Sequence, residues 1–303
     1  MPAVGESKMA LNKQAFRVRT VSAVFFAALM LAGLLWNRWS FLLLFLVIHG
    51  GCWWEYFNLL EKIFRVSYSR LFRLGALLGG TAFVLAFCAR SYAINAWPIR
   101  ENILLPLSAT AVCVLAYATY VHHKFLSIQT LTTPMTGWLY ISLPLGLLLH
   151  LRQWGIVFKG DFLFADFGFI MPLCIVCCIW INDTMAYLVG SFIGKTPLSS
   201  ISPKKTWEGT LGGIVLAMVL VTIVAWRWLE VPLLYGMLFS VSIAVAGTYG
   251  DLFESWLKRR AGVKDSGSMM PGHGGFLDRF DSLLFAIPTA AILHALLQKA
   301  MWN

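Results

Sequence analysis

An all-α polytopic membrane protein of about nine transmembrane helices, N-terminus cytoplasmic, is the fold class this sequence predicts. Three observations carry the expectation. Of 303 residues, 59% are hydrophobic and only 13% charged, and the mean hydropathy is +0.73, too apolar for a water-soluble globule and too long for a single anchor. Apolar runs recur along the whole chain with short polar breaks between them. Lys and Arg collect in alternate breaks, the asymmetry that orients multi-spanning chains.

Taken in order, runs able to cross roughly 30 Å of hydrocarbon as helices lie at 20–36, 41–60, 71–88, 103–121, 136–151, 167–190, 211–228, 232–256 and 282–301. The first follows a 19-residue polar leader and has no small-x-small pattern after Trp36, so it is expected to be retained and not removed as a signal peptide. With the N-terminus inside, the clusters Lys8 to Arg19, Lys62 to Arg73, Lys195 to Lys205 and Lys258 to Arg279, together with Lys124, place 17 of the 24 basic residues on one side. Arg38, Arg90, Arg100, Arg152, Lys159, Arg227 and Lys299 are the seven on the other. The net charge of +10 is therefore mostly a topology signal, and nucleic acid is not an expected partner because the basic residues sit between spans. All six cysteines fall inside apolar runs. They imply no disulfide framework, and the Cys174, Cys177, Cys178 cluster reads as helix packing.

Acidic residues divide the chain into residues 1–166, a helical scaffold, and 167–303, a catalytic half, within one integrated membrane domain. Asp183, Glu208, Asp251, Glu254, Asp265, Asp278 and Asp281 all fall at expected helix ends or in loops on the basic side of the second half. On the eighth span, Asp251, Glu254, Ser255 and Lys258 stand at i, i+3, i+4 and i+7 and share a face. Asp251 follows the apolar run SIAVAGTYG, and a carboxylate at that depth is a functional candidate suited to Mg²⁺. Arg259, Lys264 and Asp265 follow, and then Pro271-Gly272-His273-Gly274-Gly275, whose glycines let consecutive N–H groups converge on an anion. Asp278 and Asp281 flank Arg279 at the start of the last span and offer a second set of metal ligands beside a phosphate clamp.

A second polar centre begins with Asn182 and Asp183, which interrupt the sixth span. Gly190-x-x-x-Gly194-Lys195-Thr196 looks like a Walker A loop but has three residues between its glycines and follows a membrane helix where a strand is required. The glycines read better as a close helix contact. Ser202-Pro203-Lys204-Lys205-Thr206-Trp207-Glu208-Gly209 offers two lysines beside an interfacial tryptophan for an anionic headgroup. Glu55, next to His49-Gly50-Gly51 and Trp53-Trp54, is expected to be structural.

These residues resemble a known family. Ser255-x-Leu257-Lys258-Arg259, then Lys264-Asp265, then Pro271-Gly272-His273-Gly274-Gly275-x-x-Asp278-Arg279-x-Asp281 looks like the signature of phosphatidate cytidylyltransferases, the CDP-diacylglycerol synthases, and residues 182–209 are similar to a second block of that family. Ser266, where a bulkier residue is expected, and Met269-Met270 depart from the pattern at positions read as packing or lipid contact. The resemblance implies transfer of a cytidylyl group from CTP to phosphatidic acid, giving CDP-diacylglycerol and pyrophosphate, with Mg²⁺ and a second cation left open. The implied setting is phospholipid biosynthesis in the bacterial plasma (inner) membrane, multi-pass, with the active site facing the cytoplasm and a homodimer left open. Asp251, Asp278, Lys258 and Arg279 are then expected to be catalytic, with Asp251, Asp278 and Asp281 as metal ligands. Asn182, Asp183, Lys204, Lys205, Ser255, Arg259, Lys264, Asp265, His273, Gly274 and Gly275 are expected to bind substrates. Lys204 and Lys205, far from residues 258–281 in sequence, are expected to meet the lipid more than the nucleotide. The competing readings are a CTP-dependent lipid kinase and an ion-coupled transporter. The latter is disfavoured because polar residues crowd one half of the chain, whereas transporters repeat broken helices in both.

Overall fold

The computed structural model describes residues 4–87, 128–152, 168–269 and 274–301. Their regular structure is helical, and among them there is no strand, only an isolated antiparallel bridge between Pro197 and Thr206. The helices are α1 (Val4–Leu35), α2 (Arg38–Phe64), α3 (Arg70–Ala86), α4 (Ile128–Gly137), a π-helical turn (Trp138–Ser142), α5 (Leu143–Leu151), α6 (Ile170–Ile193), α7 (Trp207–Leu229), α8 (Leu233–Arg260) and α9 (Leu277–Met301).

Local sequence explains where these helices start and stop. The turn between α1 and α2 is set by Asn37, whose Oδ1 accepts from the N–H groups of Trp39 at 2.8 Å and Ser40 at 2.9 Å, while Ser40 Oγ takes the Asn37 N–H at 3.0 Å, a reciprocal cap. Ser69 starts α3 by accepting the Phe72 N–H. Thr206 does the same for α7 through the Gly209 N–H at 3.1 Å.

Among the described residues six helices are long and apolar enough to cross a membrane: Arg38–Phe64, Thr132–Leu151, Ile170–Ile193, Trp207–Leu229, Leu233–Arg260 and Leu277–Leu297. The chain is a polytopic helical membrane protein. Of the other expected runs, 20–36 lies at the end of the much longer α1, whose apolar part, Thr20–Leu35, is shorter than a typical span. The run 71–88 corresponds to α3, 17 residues long, and the run 103–121 lies outside the described residues. The span expected at 136–151 begins earlier, at Thr132, and continues through Pro134 and the π-helical turn.

Apolar residues cover these helices on all sides, so burial is decided by shape and by the few polar groups. Phe41, Phe45, Trp53 and Phe57 of α2 pack with Leu145, Leu148 and Leu149 of α5 and with Leu283, Leu284 and Ile287 of α9 in one core. Val215, Val219 and Ile223 of α7 face outward, as expected of a lipid-facing surface. The α6–α7 contact is a glycine seam. A Cβ on Gly209 would stand 2.6 Å from the Ala186 carbonyl oxygen and 2.9 Å from Gly190 Cα, and one on Gly213 would stand 2.7 Å from the Asn182 carbonyl oxygen. Gly190 takes part in this close contact, while Gly194, paired with it in the sequence reading, lies just past the end of α6, where a Cβ would meet the Thr206 side chain.

Candidate active site

The C-terminal parts of α6 and α8 and the N-terminal ends of α7 and α9 converge at one end of the bundle around a cavity of about 950 Å³. Its size is at the upper end of the range for small-molecule sites. One side is polar. Asn182 and Asp183 come from α6, Lys204 and Lys205 from the α6–α7 loop, Asp251 and Lys258 from α8, Lys264, Asp265 and Gly274 from the α8–α9 segment, and Asp278, Arg279 and Asp281 from α9. The other side is apolar, built from Phe26 and Met30 of α1, Val176, Ile179 and Trp180 of α6, and Leu283 of α9. The two polar centres of the sequence therefore form one site.

Their meeting depends on how the α6–α7 loop folds. The carboxylate of Glu208, in the first turn of α7, accepts the backbone N–H groups of Lys195 and Thr196, while Leu198 N–H donates to the Lys205 carbonyl at 2.8 Å and Trp207 N–H to the Thr196 carbonyl at 2.9 Å. The loop turns back on itself, and Lys205 forms an ion pair with Asp251 of α8. Lys204 and Lys205, expected to meet the lipid more than the nucleotide, share the cavity with the residues of 258–281.

The carboxylates of the site have different surroundings. Asp278 is heavily engaged, its Oδ1 taking the Lys258 ammonium at 2.7 Å and its Oδ2 lying 2.9 Å from both the N–H and the hydroxyl of Ser266 and 2.7 Å from the Gly275 N–H. Lys258 also pairs with Glu254, whose side chain is wholly buried and whose Oε1 has no hydrogen-bond partner. By contrast, Asp251 takes Lys205 and, at 3.3 Å, the Ser255 hydroxyl, and Asp281 accepts the N–H of Ser282 at 2.6 Å. Asp183, Asp251 and Asp281 lie close enough to feel one another's charge, with Lys205 among them. Asn182 is buried, its amide directed to Asp183 at 3.3 Å and its Oδ1 without a partner.

Some expected residues stand apart from the cavity wall. Ser255 is buried behind Asp251, Arg259 reaches from the exposed end of α8 to the Val263 carbonyl at 3.3 Å, and the Gly275 N–H is taken by Asp278 and not left for a ligand. His273 lies outside the described residues. Two residues expected to serve structure and packing tie the α8–α9 segment to α2. Glu55 of α2, only 5% exposed, accepts from the Ser266 hydroxyl at 2.7 Å and from the N–H groups of Phe276 and Leu277 at 2.8 and 2.9 Å. Ser266, expected to serve packing, links Glu55 to Asp278. The available signal was one carboxylate within the apolar run 41–60, and nothing local named its partners, which lie 211 and more residues away.

Comparison with known proteins finds relatives in sequence. Over 134 residues the chain is 46% identical to the phosphatidate cytidylyltransferase of Helicobacter pylori strain J99, a stretch covering 44% of this chain and 49% of that relative. It is 50% identical over 130 residues, 42% and 48% of the two chains, to the phosphatidate cytidylyltransferase of Bacillus subtilis. Chloroplastic phosphatidate cytidylyltransferase 4 of Arabidopsis thaliana is 41% identical over 152 residues, 50% of this chain and 38% of that one. The matching stretch spans about half the length of the bacterial relatives. The profile of the Cytidylyltransferase family matches residues 17–297, almost the entire chain, and by that extent the chain belongs to the Cytidylyltransferase family.

Proposed function

We propose that this protein transfers the cytidylyl group of CTP to phosphatidic acid, releasing pyrophosphate and leaving CDP-diacylglycerol in the membrane. The observation that carries the reading is the two-sided cavity. Both polar motif blocks line one wall and apolar side chains line the other, which suits a reaction between a polyanionic nucleotide and a lipid phosphate whose acyl chains stay in hydrocarbon.

A lipid phosphate oxygen attacks the α-phosphorus of CTP, the bond from that phosphorus to the bridging oxygen breaks, and pyrophosphate departs with the electron pair. The attacking phosphate is already ionised near neutral pH and needs no general base. The difficulty is anionic repulsion, which positioned cations relieve. Lys258, Lys264 and Arg279 on the polar wall are assigned to the triphosphate and the leaving pyrophosphate, Lys204 and Lys205 to the junction of the two substrates, and Asn182 with Asp183 to orientation.

The lining lysines and arginine number five, Lys204, Lys205, Lys258, Lys264 and Arg279, against five carboxylates, Asp183, Asp251, Asp265, Asp278 and Asp281. Two substrates bearing several negative charges therefore need more positive charge than the wall supplies. The donor chemistry suits Mg²⁺, which takes hard oxygen ligands and commonly uses one or two carboxylates plus substrate phosphates. Among the described residues no three of His, Cys, Asp and Glu are grouped as a complete site, so phosphate oxygens and water would complete the shell. Asp251 and Asp281 are the residues we assign to it, since Asp278 already accepts four protein contacts against two at Asp251 and the Ser282 N–H at Asp281. Bound there, the ion would neutralise phosphate charge and polarise the reacting phosphoryl group.

We also propose nine spans, with the cavity open to the cytoplasm of a bacterial plasma membrane. The 17 to 7 division of basic residues and the entry of CTP from that side support it. Purified protein incubated with phosphatidic acid, CTP labelled in the base and Mg²⁺ tests the activity. Label in the lipid fraction with stoichiometric pyrophosphate is expected. Phosphorylated lipid with CDP would make the protein a kinase and overturn the reading.

A further inference from the structure

We propose that Glu55 is a positioning residue for the reaction site, a carboxylate on the scaffold half that holds the α8–α9 segment in place and, through Ser266 and Asp278, sets the ammonium of Lys258 in the cavity. The inference rests on the activity proposed above and adds a residue that lies far outside both motif blocks. A carboxylate is costly to bury unless donors satisfy it. Glu55 finds three, the Ser266 hydroxyl and the N–H groups of Phe276 and Leu277 at the start of α9, where the unsatisfied N–H groups of a helix attract negative charge. Donors and acceptor come from segments more than 200 residues apart, so each is satisfied only when the other is docked.

The seat on α2 is shaped for this contact. A Cβ on Gly267 or on Gly275 would run into the Glu55 carboxylate, and one on Gly51 would run into the Phe276 ring. From this seat a continuous path leads into the cavity. Ser266 Oγ lies 2.7 Å from Glu55 Oε2 and 2.9 Å from Asp278 Oδ2, and Asp278 Oδ1 lies 2.7 Å from Lys258 Nζ. The hydroxyl has a single proton and can donate to one carboxylate at a time, while the Ser266 N–H stays on Asp278 at 2.9 Å. Ser266 is thereby tied to both carboxylates. Loss of Glu55 releases one end of the path, and Lys258, whose other partner is Glu254 on its own helix, loses its fixed aim at the phosphates.

The test combines amide hydrogen exchange with cytidylyl transfer on detergent-solubilised full-length protein, comparing wild type, Glu55→Gln, Ser266→Ala and the double variant. Glu55→Gln should speed exchange in a peptide spanning 274–280 by about tenfold or more while 207–229 keeps its rate, the pattern of a local opening. It should also lower kcat roughly 10–100-fold, the usual cost of losing an orienting partner, with the KM for phosphatidic acid within about twofold of wild type. The double variant should be no slower than Glu55→Gln, because both changes cut one path. Multiplying effects would show that Glu55 does not act through Ser266, and faster exchange at 274–280 with unchanged kcat would make its role purely architectural; either overturns the proposal. Should Glu55→Gln not survive extraction, Ser266→Ala, which leaves both backbone contacts to Glu55, must lower kcat by itself or the proposal falls. A wild-type protein that transfers no cytidylyl group overturns the proposed activity instead, and unchanged exchange at 274–280 in Glu55→Gln overturns the clamp whatever the activity.

Discussion

At the scale of single residues, the aspartates of the site separate by their contacts. Asp251→Asn and Asp281→Asn each remove a negative oxygen from the wall assigned to Mg²⁺, and both should lower turnover by at least tenfold, about 1.4 kcal/mol or more in transition-state stabilisation, and raise the Mg²⁺ concentration needed for half-maximal rate. Asp278→Asn should lose activity without that rise, and its apparent stability should fall by about 2 kcal/mol, since Lys258, Ser266 and Gly275 lose a charged acceptor. A Mg²⁺ titration of all three variants beside their thermal unfolding decides the matter, and a raised Mg²⁺ requirement in Asp278→Asn would return it to the metal. Lys205→Gln should raise the KM for CTP and for phosphatidic acid together, because its ammonium lies on Asp251 in the shared cavity and not in a separate lipid site; a rise for phosphatidic acid alone would restore the separate-site reading. The candidate residues themselves were legible in the sequence, because a carboxylate or lysine at the end of an apolar run is conspicuous. Their contacts were not. Whether Asp278 faces a metal or four protein contacts depends on where Lys258, Ser266 and Gly275 arrive, and residue order does not contain that.

Among the elements, α6 and α7 hold the site to the bundle through glycine. Substituting Gly213 with Leu forces a side chain toward the Asn182 carbonyl and should separate the two helices beside Asn182 and Asp183. Overpacking of this kind costs about 1–3 kcal/mol, so the thermal midpoint and the transfer rate should both fall. Normal turnover with a normal midpoint in that variant would mean the seam is looser than the structure shows. The far end of α8 and α9 provides a comparison: Tyr235 donates to or accepts from His294 Nδ1 at 2.6 Å, well away in sequence from the reaction site. Tyr235→Phe should cost about 1 kcal/mol of stability and leave the transfer rate as it was. Helix existence and rough position followed from hydropathy, and the glycine spacing in α6 announced a close contact. The start of α1 at Val4 and the π-helical turn inside the 132–151 span did not follow, because a polar helix extension and a one-residue bulge leave the apolar count unchanged.

For the whole molecule, the proposed topology puts the cavity and the loop after α8 in the cytoplasm. Ser268 is exposed and lines the cavity, so Ser268→Cys should react with a membrane-impermeant thiol reagent only after cells are opened, measured against the wild-type background. Labelling in intact cells would reverse the orientation and deprive the site of CTP. Composition announced a membrane protein, charge distribution drew the candidate site residues to the second half, and the polar wall of the cavity is built from that half. The structure also brings in the first half, through Phe26 and Met30 on the apolar wall and Glu55 behind the loop.

Taken by itself, the sequence determined what is local or statistical: which stretches are helical and apolar, roughly where they lie, and which two motif blocks hold the polar and charged residues. Those properties depend on neighbours within a few turns, and side-chain transfer and backbone hydrogen bonding settle them residue by residue. Only the tertiary structure decided that Lys205 meets Asp251, that Ser266 joins Glu55 to Asp278, and that both blocks open into one cavity. Helices apolar on every face can meet in many registers. The choice among them is made by close packing at glycines and by the need of each buried charge for a partner, and both are properties of the assembled bundle.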